Sequence, residues 1–148
     1  MDLKTQLQDA LKDAMRSKAE LRKNTLRMVL SAIRLAEIDK GTTLDDQGVM
    51  AILHKEVKSR HEAMADAERA GRPDLIQAGE AEIKILEDFL PKGFSVVELD
   101  TLARQAIAEA GATTIREMGA VMKILMPRLQ GRATGDQASQ AVRKLLQG

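Results

Sequence analysis

The sequence predicts an all-α protein, with an N-terminal bundle of three to four helices followed by a small three-helix C-terminal block. Two observations predict this class. The 148 residues include two phenylalanines, no tryptophan and no tyrosine, and they are rich in the strong helix formers Ala, Leu, Met, Glu, Lys and Arg. Apolar residues also recur every three or four positions, which is the spacing of one face of a helix.

The N-terminal block is predicted to occupy residues 1–92. Apolar spacing and helix-breaking residues place its helices at residues 2–18, 20–40, 43–70 and 73–91. Gly41 suits the left-handed position that ends the second helix. Thr43 with Asp46 resembles a capping box at the start of the third helix, and Pro73 suits the first position of the fourth.

The C-terminal block is predicted to occupy residues 95–148, after a boundary at Pro91–Phe94 that is rich in helix breakers. Two capping-box patterns mark the first two helix starts of this block, Ser95 with Glu98 and Thr114 with Glu117. The helix that begins near Ser95 is expected to end at Gly111. A last helix is predicted over residues 136–147.

The second helix of this block is rich in methionine. Its apolar stripe consists of residues at helical spacing, Met118, Met122, Leu125, Met126 and Leu129. We expect these methionines to pack inside the C-terminal block, with a partner-binding groove as the alternative, because methionine fills irregular cores. Pro127 lies within the pattern, so a kink or an early helix end is expected near Met126.

The composition excludes several classes of protein. Without cysteine the chain has no disulfide, no thiolate zinc site and no cysteine nucleophile, and we therefore expect a cytoplasmic location. The first residues lead directly into an amphipathic pattern, so no signal peptide is predicted. No apolar run approaches the roughly 20 residues that span a bilayer, and no membrane partner is expected.

Charge is distributed unevenly along the chain, although the net charge is only +1. Residues 12–27 contain six basic and two acidic side chains, and residues 121–148 contain five basic and one acidic. Residues 61–88 contain three basic and eight acidic side chains. Such a molecule can meet a polyanion through particular faces only; the alternative is that these are ordinary solvated helix faces.

No pattern predicts catalysis, a metal or a cofactor. His54 and His61 are seven residues apart, which is about 10 Å along one helix and too far for metal bonds of about 2 Å. The serines lack the sequence around a hydrolase nucleophile. Glu80 and Lys84 have the spacing of an ordinary solvated ion pair on a helix. We therefore expect no catalytic residue and no enzyme activity of the chain alone.

The strongest candidate site is a basic segment near the C-terminus, where glycines interrupt the helices. The turn before the last helix suits an anion, because helix N-termini present N–H groups and a positive dipole end. The small number of aromatic residues in the chain argues against base stacking, so the expected ligand is a phosphate backbone. The predicted phosphate-binding residues are Lys123, Arg128, Gly131, Arg132, Arg143 and Lys144.

Six short strings in order resemble the YqeY proteins of the GatB/YqeY family over essentially the whole chain. They are Thr25–Met28, Lys55–Arg60, Ala70–Arg72, Leu86–Pro91, Met118–Met122 and Gly131–Ala133. The resemblance implies an all-helical protein of two blocks. It also implies that the C-terminal block is similar to the tail domain of the B subunit of the glutamine-dependent aminoacyl-tRNA amidotransferase, which engages the tRNA body. Arg143 and Lys144 are included in the site on charge alone.

Three functions follow as hypotheses. The first is a tRNA-binding accessory protein that grips the RNA backbone. The second is a protein–protein adaptor whose N-terminal helices form a groove. The third is a component of carbon–nitrogen ligase activity with glutamine as amido-N-donor, which is the label of the family that the chain resembles. The charged residues Arg27, Lys55, Arg60 and Glu80 form either a site or inter-helix ion pairs, and we favour ion pairs.

Overall fold

The computed structural model describes residues 2–147 and divides the chain into two compact units. The N-terminal unit ends at Pro91 and the C-terminal unit begins at Lys92. The N-terminal unit contains helices α1 Leu3–Arg16, α2 Glu20–Lys40, α3 Asp46–Arg69 and α4 Pro73–Glu87. The C-terminal unit contains α5 Val96–Ala110, α6 Met118–Leu125 and α7 Gly135–Gln147, with 3₁₀ turns at Ile115–Glu117 and Met126–Arg128. The predicted all-α class is confirmed, since the described residues include no strand.

The core of the N-terminal unit consists of large aliphatic side chains from all four helices. Removing each such side chain from water stabilises the fold by about 1.5–3 kcal/mol. The residues of this core that are buried are Leu3, Leu7, Leu26, Val29, Ile33, Val49, Leu53 and Leu86. The spacing of these residues at three or four positions within each helix is what made the helices predictable.

Local signals end and start the helices of this unit largely as expected. Gly41 adopts φ 73°, the left-handed conformation predicted after α2, and Pro73 occupies the first position of α4. The cap of α3 differs from the prediction, because Asp45 rather than Thr43 accepts the hydrogen bond from the N–H of Gly48 at 2.9 Å. Asp46, which was expected to complete a capping box, instead accepts a hydrogen bond from the N–H of Leu3.

Helix α4 packs closely on α3 and ends earlier than predicted. A Cβ atom added to Gly79 would lie 2.6 Å from Cγ of Met64, so a glycine is needed for this approach. The helix ends at Glu87 rather than Pro91. The N–H groups of Phe89 and Leu90 bond to carbonyls three residues earlier, which tightens the chain before Pro91 into a turn.

The core of the C-terminal unit is built from smaller side chains. Alanine contributes five of its nine buried residues, which are Ala103, Ala106, Ala112, Val121, Leu125, Leu129, Ala133, Ala138 and Val142. Small residues let the short helices α5, α6 and α7 approach each other closely. Ser95 caps α5 as predicted, by accepting a hydrogen bond from the N–H of Glu98 at 3.1 Å.

The methionine stripe differs from the prediction at its C-terminal end. Met118 and Met122 are half-buried, but Met126 is 46% exposed. Helix α6 ends at Leu125, and the chain continues as a 3₁₀ turn that contains Pro127. The change of helical pitch moves Met126 away from the buried face, which is consistent with the early end expected near this proline.

Candidate functional site

Arg132 holds the start of α5 against the loop that precedes α7. Its Nε donates to the carbonyl oxygen of Lys92 at 2.8 Å, and its Nη2 donates to Oε2 of Glu98 at 3.0 Å. The guanidinium group lies 4.0 Å from the ring centroid of Phe94, close enough for a cation–π interaction. The backbone carbonyl of Arg132 also accepts a hydrogen bond from the N–H of Phe94. This predicted phosphate ligand is therefore bound on several sides by its own unit.

The loop geometry directs Arg132 into this position. Gln130 has φ 50° and Gly131 has φ 75°, so two successive residues adopt the left-handed conformation. Such a pair reverses the chain direction sharply, and glycine adopts it without strain. Gly131 thus has a conformational role in the predicted site.

Arg128 is also engaged within the C-terminal unit. It makes a two-pronged ion pair with Glu109 of α5, in which Nη2 donates to Oε1 at 2.8 Å and Nη1 contacts Oε2. These hydrogen bonds lower the pKa of Glu109 and raise the pKa of Arg128. The acidic partner is 19 residues away in sequence, so local spacing gave no sign of it.

Lys123, Arg143 and Lys144 are exposed and form no ion pair with any residue of the described chain, 2–147. In α7 the buried residues are Ala138 and Val142, and Arg143 and Lys144 lie about 100° and 200° around the helix from Val142 and point away from the core. Lys123 lies two positions after the buried Val121 on α6 and is directed outward for the same reason. Half of the six predicted ligands are therefore cations open to solvent.

The start of α7 is occupied by its own side chains. The N–H of Thr134 donates to Oε1 of Gln137 at 2.9 Å, and the N–H of Gln137 donates to Oγ1 of Thr134 at 3.1 Å. This is a reciprocal capping box, and Asp136 adds an acidic residue in the first turn. Within the first turn, the N–H of Gln137 is therefore already bonded and is not open to an anion. The Thr-x-x-Gln pattern was visible in the sequence and could have been recognised.

In the N-terminal unit, Arg60 forms a buried ion-pair cluster between helices. It is 7% exposed, and its Nη1 donates to Oε2 of Glu56 at 2.7 Å. Its Nε lies 3.2 Å from Oε2 of Glu82 on α4, but the N–H is poorly aligned and makes no hydrogen bond. Its Nη2 lies 3.9 Å from Sδ of Met28 on α2.

The cluster around Arg60 links three helices, and Arg60 is the residue of the predicted group of four that forms an inter-helix ion pair. The other three residues of the predicted group, Arg27, Lys55 and Glu80, are exposed and form no ion pair with the described residues. The acidic partner on α4 is Glu82 rather than Glu80. The rotation of α4 about its own axis, relative to α3, decides which of these two glutamates faces Arg60. No local sequence pattern shows that rotation.

Helix α2 carries a second apolar surface that sequence reasoning missed. Leu21, Met28 and Leu35 are seven residues apart, Ile38 follows three positions later, and these side chains are 42–67% exposed. The fully buried apolar residues of α2, Leu26, Val29 and Ile33, lie at least about 100° around the helix from Met28 and Leu35. The seven-residue spacing is visible in the sequence. It was missed because the exposed and the core apolar residues lie in the same helix and were treated as one pattern.

Within residues 2–147, no group of three or more His, Cys, Asp or Glu side chains is placed to hold a metal ion. None of the helices in this range has the length and apolar character required to cross a bilayer.

Comparison with known proteins places the chain in a family. The family model described as "Yqey-like protein" matches residues 4–146. The chain belongs to the YqeY-like family. The resemblance inferred from the six short strings is therefore confirmed, and both units lie within the matched region.

Similar curated proteins occur in fungi under the name "Altered inheritance of mitochondria protein 41, mitochondrial". The one from Pyrenophora tritici-repentis is 30% identical over 129 residues, which are 86% of this chain and 71% of that protein. Those from Lachancea thermotolerans and Kluyveromyces lactis are 34% and 39% identical over 61% and 56% of this chain. The matched regions span about half the length of these two relatives, 49% and 45% respectively.

These names correct one prediction. The cytoplasmic location expected from the sequence is wrong, because the relatives are named as mitochondrial proteins and point to mitochondria instead. The prediction relied on the absence of cysteine and of a visible signal peptide. A lack of cysteine shows only that the fold needs no disulfide, and it does not distinguish one compartment from another.

Proposed function

We propose that the chain is a tRNA-binding accessory protein whose C-terminal unit contacts the phosphate backbone. The observation that carries the proposal is the set of three exposed, unpaired cations Lys123, Arg143 and Lys144. Phosphate contacts from such side chains release counterions and supply most of the sequence-independent affinity for nucleic acid. The resemblance that the short strings of the sequence imply, to the amidotransferase tail domain, is the reason to choose tRNA as the polyanion.

The proposal divides the six predicted ligands into two roles. The three exposed cations are the contacts with phosphate. Arg128, Gly131 and Arg132 are positioning residues, because the two arginines are engaged with Glu109 and Glu98 and the glycine shapes the loop. Replacing Arg132 would therefore disturb the unit itself and would not report on RNA contact alone.

The test is binding of the purified chain to unfractionated tRNA across a salt series. The variant Lys123→Gln/Arg143→Gln/Lys144→Gln removes three proposed contacts. We expect its slope of log K against log salt concentration to be smaller in magnitude by roughly 2–3 than that of the unaltered chain. The reason is that a protein that neutralises three fewer phosphates releases fewer counterions on binding. Circular dichroism should show unchanged helix content, since the three side chains are exposed.

The matched control is Lys12→Gln/Lys40→Gln/Lys55→Gln, which removes the same charge from exposed residues of the N-terminal unit. This control should retain the slope of the unaltered chain. Equal loss in both variants would show that net charge alone governs binding and would contradict the proposed interface. Absence of binding at low salt, or binding independent of salt, would contradict RNA binding altogether.

A protein–protein adaptor is the second candidate, and the exposed apolar residues of α2 favour it. Large exposed apolar surface often marks a binding site, and Leu21, Met28, Leu35 and Ile38 are exposed along this one helix. The two candidate functions use different units of the chain and are compatible. We do not propose chemistry for the chain on its own; a role as a component of an amidotransferase would require glutamine- and ATP-dependent turnover in the complete assembly.

A further inference from the structure

The exposed surface of α2 has the spacing of a helix-pairing seam. Leu21, Met28 and Leu35 are 42%, 55% and 62% exposed, and Ile38 is 67% exposed. Residues seven apart drift by only about 20° around a straight helix, so Leu21, Met28 and Leu35 form one row along it, and Ile38 lies about 60° to one side of Leu35. We call these four residues the α2 stripe.

Both edges of the α2 stripe are defined by charged residues. On one edge, Arg27 and Arg34 are exposed, seven residues apart, and form no ion pair with residues 2–147. Within the stripe, Sδ of Met28 lies 3.9 Å from Nη2 of the buried Arg60, whose charge is already shared with Glu56 and Glu82. The other edge carries the exposed Asp39, four residues after Leu35, so the unpaired positive charge beside the stripe lies on the first edge.

We propose that the α2 stripe binds an amphipathic helix of another protein, with acidic residues one heptad apart facing Arg27 and Arg34. The apolar face of the incoming helix covers Leu21, Met28 and Leu35, as in helix pairs with a seven-residue repeat. The acidic residues supply the charge complementarity that selects the partner and its direction. This proposal deepens the adaptor candidate and is independent of RNA binding by the C-terminal unit.

Charge and composition disfavour a second copy of the chain as the occupant. In an antiparallel pair of α2 helices, Arg27 of one copy would approach Arg34 of the other, so like charges would meet along one side of the pair. In a parallel pair, the polar residues Asn24 and Ser31 would each face their own copy within the seam. The apolar repeat also extends over fewer than the roughly three heptads that indicate a stable coiled coil.

The test uses two synthetic helical peptides with the same leucine stripe, one flanked by glutamates and one by lysines. Binding of each peptide to the full chain is measured by fluorescence anisotropy. We expect the glutamate peptide to bind at least about tenfold more tightly than the lysine peptide. Arg27→Glu/Arg34→Glu should invert this order, and Leu35→Asp should abolish binding of the glutamate peptide without loss of helix content.

The matched control, Lys12→Glu/Lys40→Glu, makes the same change in net charge on exposed residues outside the stripe and should keep the original order. Equal affinity for the two peptides, or no binding of either, would overturn the proposal. Displacement of the glutamate peptide by tRNA from the C-terminal triple variant would identify the stripe as an RNA surface instead. Sedimentation equilibrium that shows a dimer of the chain, dissociated by Leu35→Asp, would assign the stripe to a second copy.

Discussion

The two units of the chain differ in what each leaves without a partner. The N-terminal unit pairs charges across its helices, as in Lys4 with Glu37 and Arg60 with Glu82, yet it exposes the large apolar side chains of the α2 stripe. In the C-terminal unit, exposed cations on α6 and α7 lack an acidic partner in the described chain. Two arginines between these helices, Arg128 and Arg132, instead form ion pairs with glutamates. The α2 stripe is the candidate binding surface of the first unit, and the exposed cations of α6 and α7 are the candidate surface of the second. Exposed lysines also occur in the first unit, and the exposed Val96 and Val97 occur in the second, so residue type alone does not separate the two units.

This difference shows why counting residue types is a poor guide to a binding surface. The C-terminal segment has five basic residues, but Arg128 and Arg132 are bound to Glu109 and Glu98. The apolar residues of α2 are likewise divided between core and water, with Leu26 fully buried and Leu35 mostly exposed. The availability of a side chain depends on its neighbours in the fold, and each prediction below tests one such assignment.

The largest expected effect is the difference in stability between truncating a buried and an exposed leucine of the N-terminal unit. Leu53→Ala removes a fully buried side chain and should lower the free energy of unfolding by about 2–5 kcal/mol, because it leaves a cavity. Leu35→Ala truncates a leucine of the α2 stripe and should change it by less than about 0.5 kcal/mol. Urea unfolding followed by far-UV circular dichroism measures both, since the chain lacks tryptophan. Similar losses in the two variants would show that the stripe is part of the core.

A smaller effect should separate the engaged and the free cations of the C-terminal unit. Arg132→Ala removes two hydrogen bonds and the contact with Phe94, and should lower stability by about 1–2 kcal/mol. Arg143→Ala removes the same charge from an exposed helix position and should cost less than about 0.5 kcal/mol. Thermal unfolding of both variants provides the comparison. The assignment of Arg132 as a positioning residue fails if the two variants are equally stable.

The smallest expected effect is the acid sensitivity of the ion pair between α1 and α2. Hydrogen bonds from Nζ of Lys4 and from the N–H of Leu44 lower the pKa of Glu37 below its ordinary value of 4.5. The folded chain therefore binds this proton less readily than the unfolded chain. The resulting stabilisation is complete above about pH 4.5 and is lost as the pH falls through the lowered pKa.

Glu37→Gln should reduce stability at neutral pH and flatten its decline in acid. Unfolding midpoints measured between neutral pH and about pH 3 report both changes. Glu80→Gln is the matched control, because Glu80 is exposed and forms no ion pair with the described residues. If the acid decline is unchanged in the Glu37 variant, the pair does not contribute to the pH dependence.

Much of the fold could be predicted because its signals are local. Gly41, Pro73 and Ser95 were assigned correctly from neighbouring residues alone, since a left-handed end, a first-turn proline and a hydroxyl cap act within a few positions. The start of α3 was misassigned because Thr43 and Asp45 are both good capping residues. Asp46, moreover, accepts a hydrogen bond from the N–H of Leu3 at the start of α1. The cap formed by Thr134 and Gln137 was equally local and was overlooked.

The sequence by itself determined the helices, most of their ends and the family, because apolar periodicity, caps and short motifs act over a few residues. Only the tertiary structure decided which charges remain available. Arg128 meets Glu109 across 19 positions and Arg132 meets Glu98 across 34, through the packing of helices whose relative phase no local pattern encodes. The same packing buried one face of α2 and left the α2 stripe in water. Electrostatic and apolar contacts are short-ranged in space, and spatial proximity between distant residues exists only once the helices have packed.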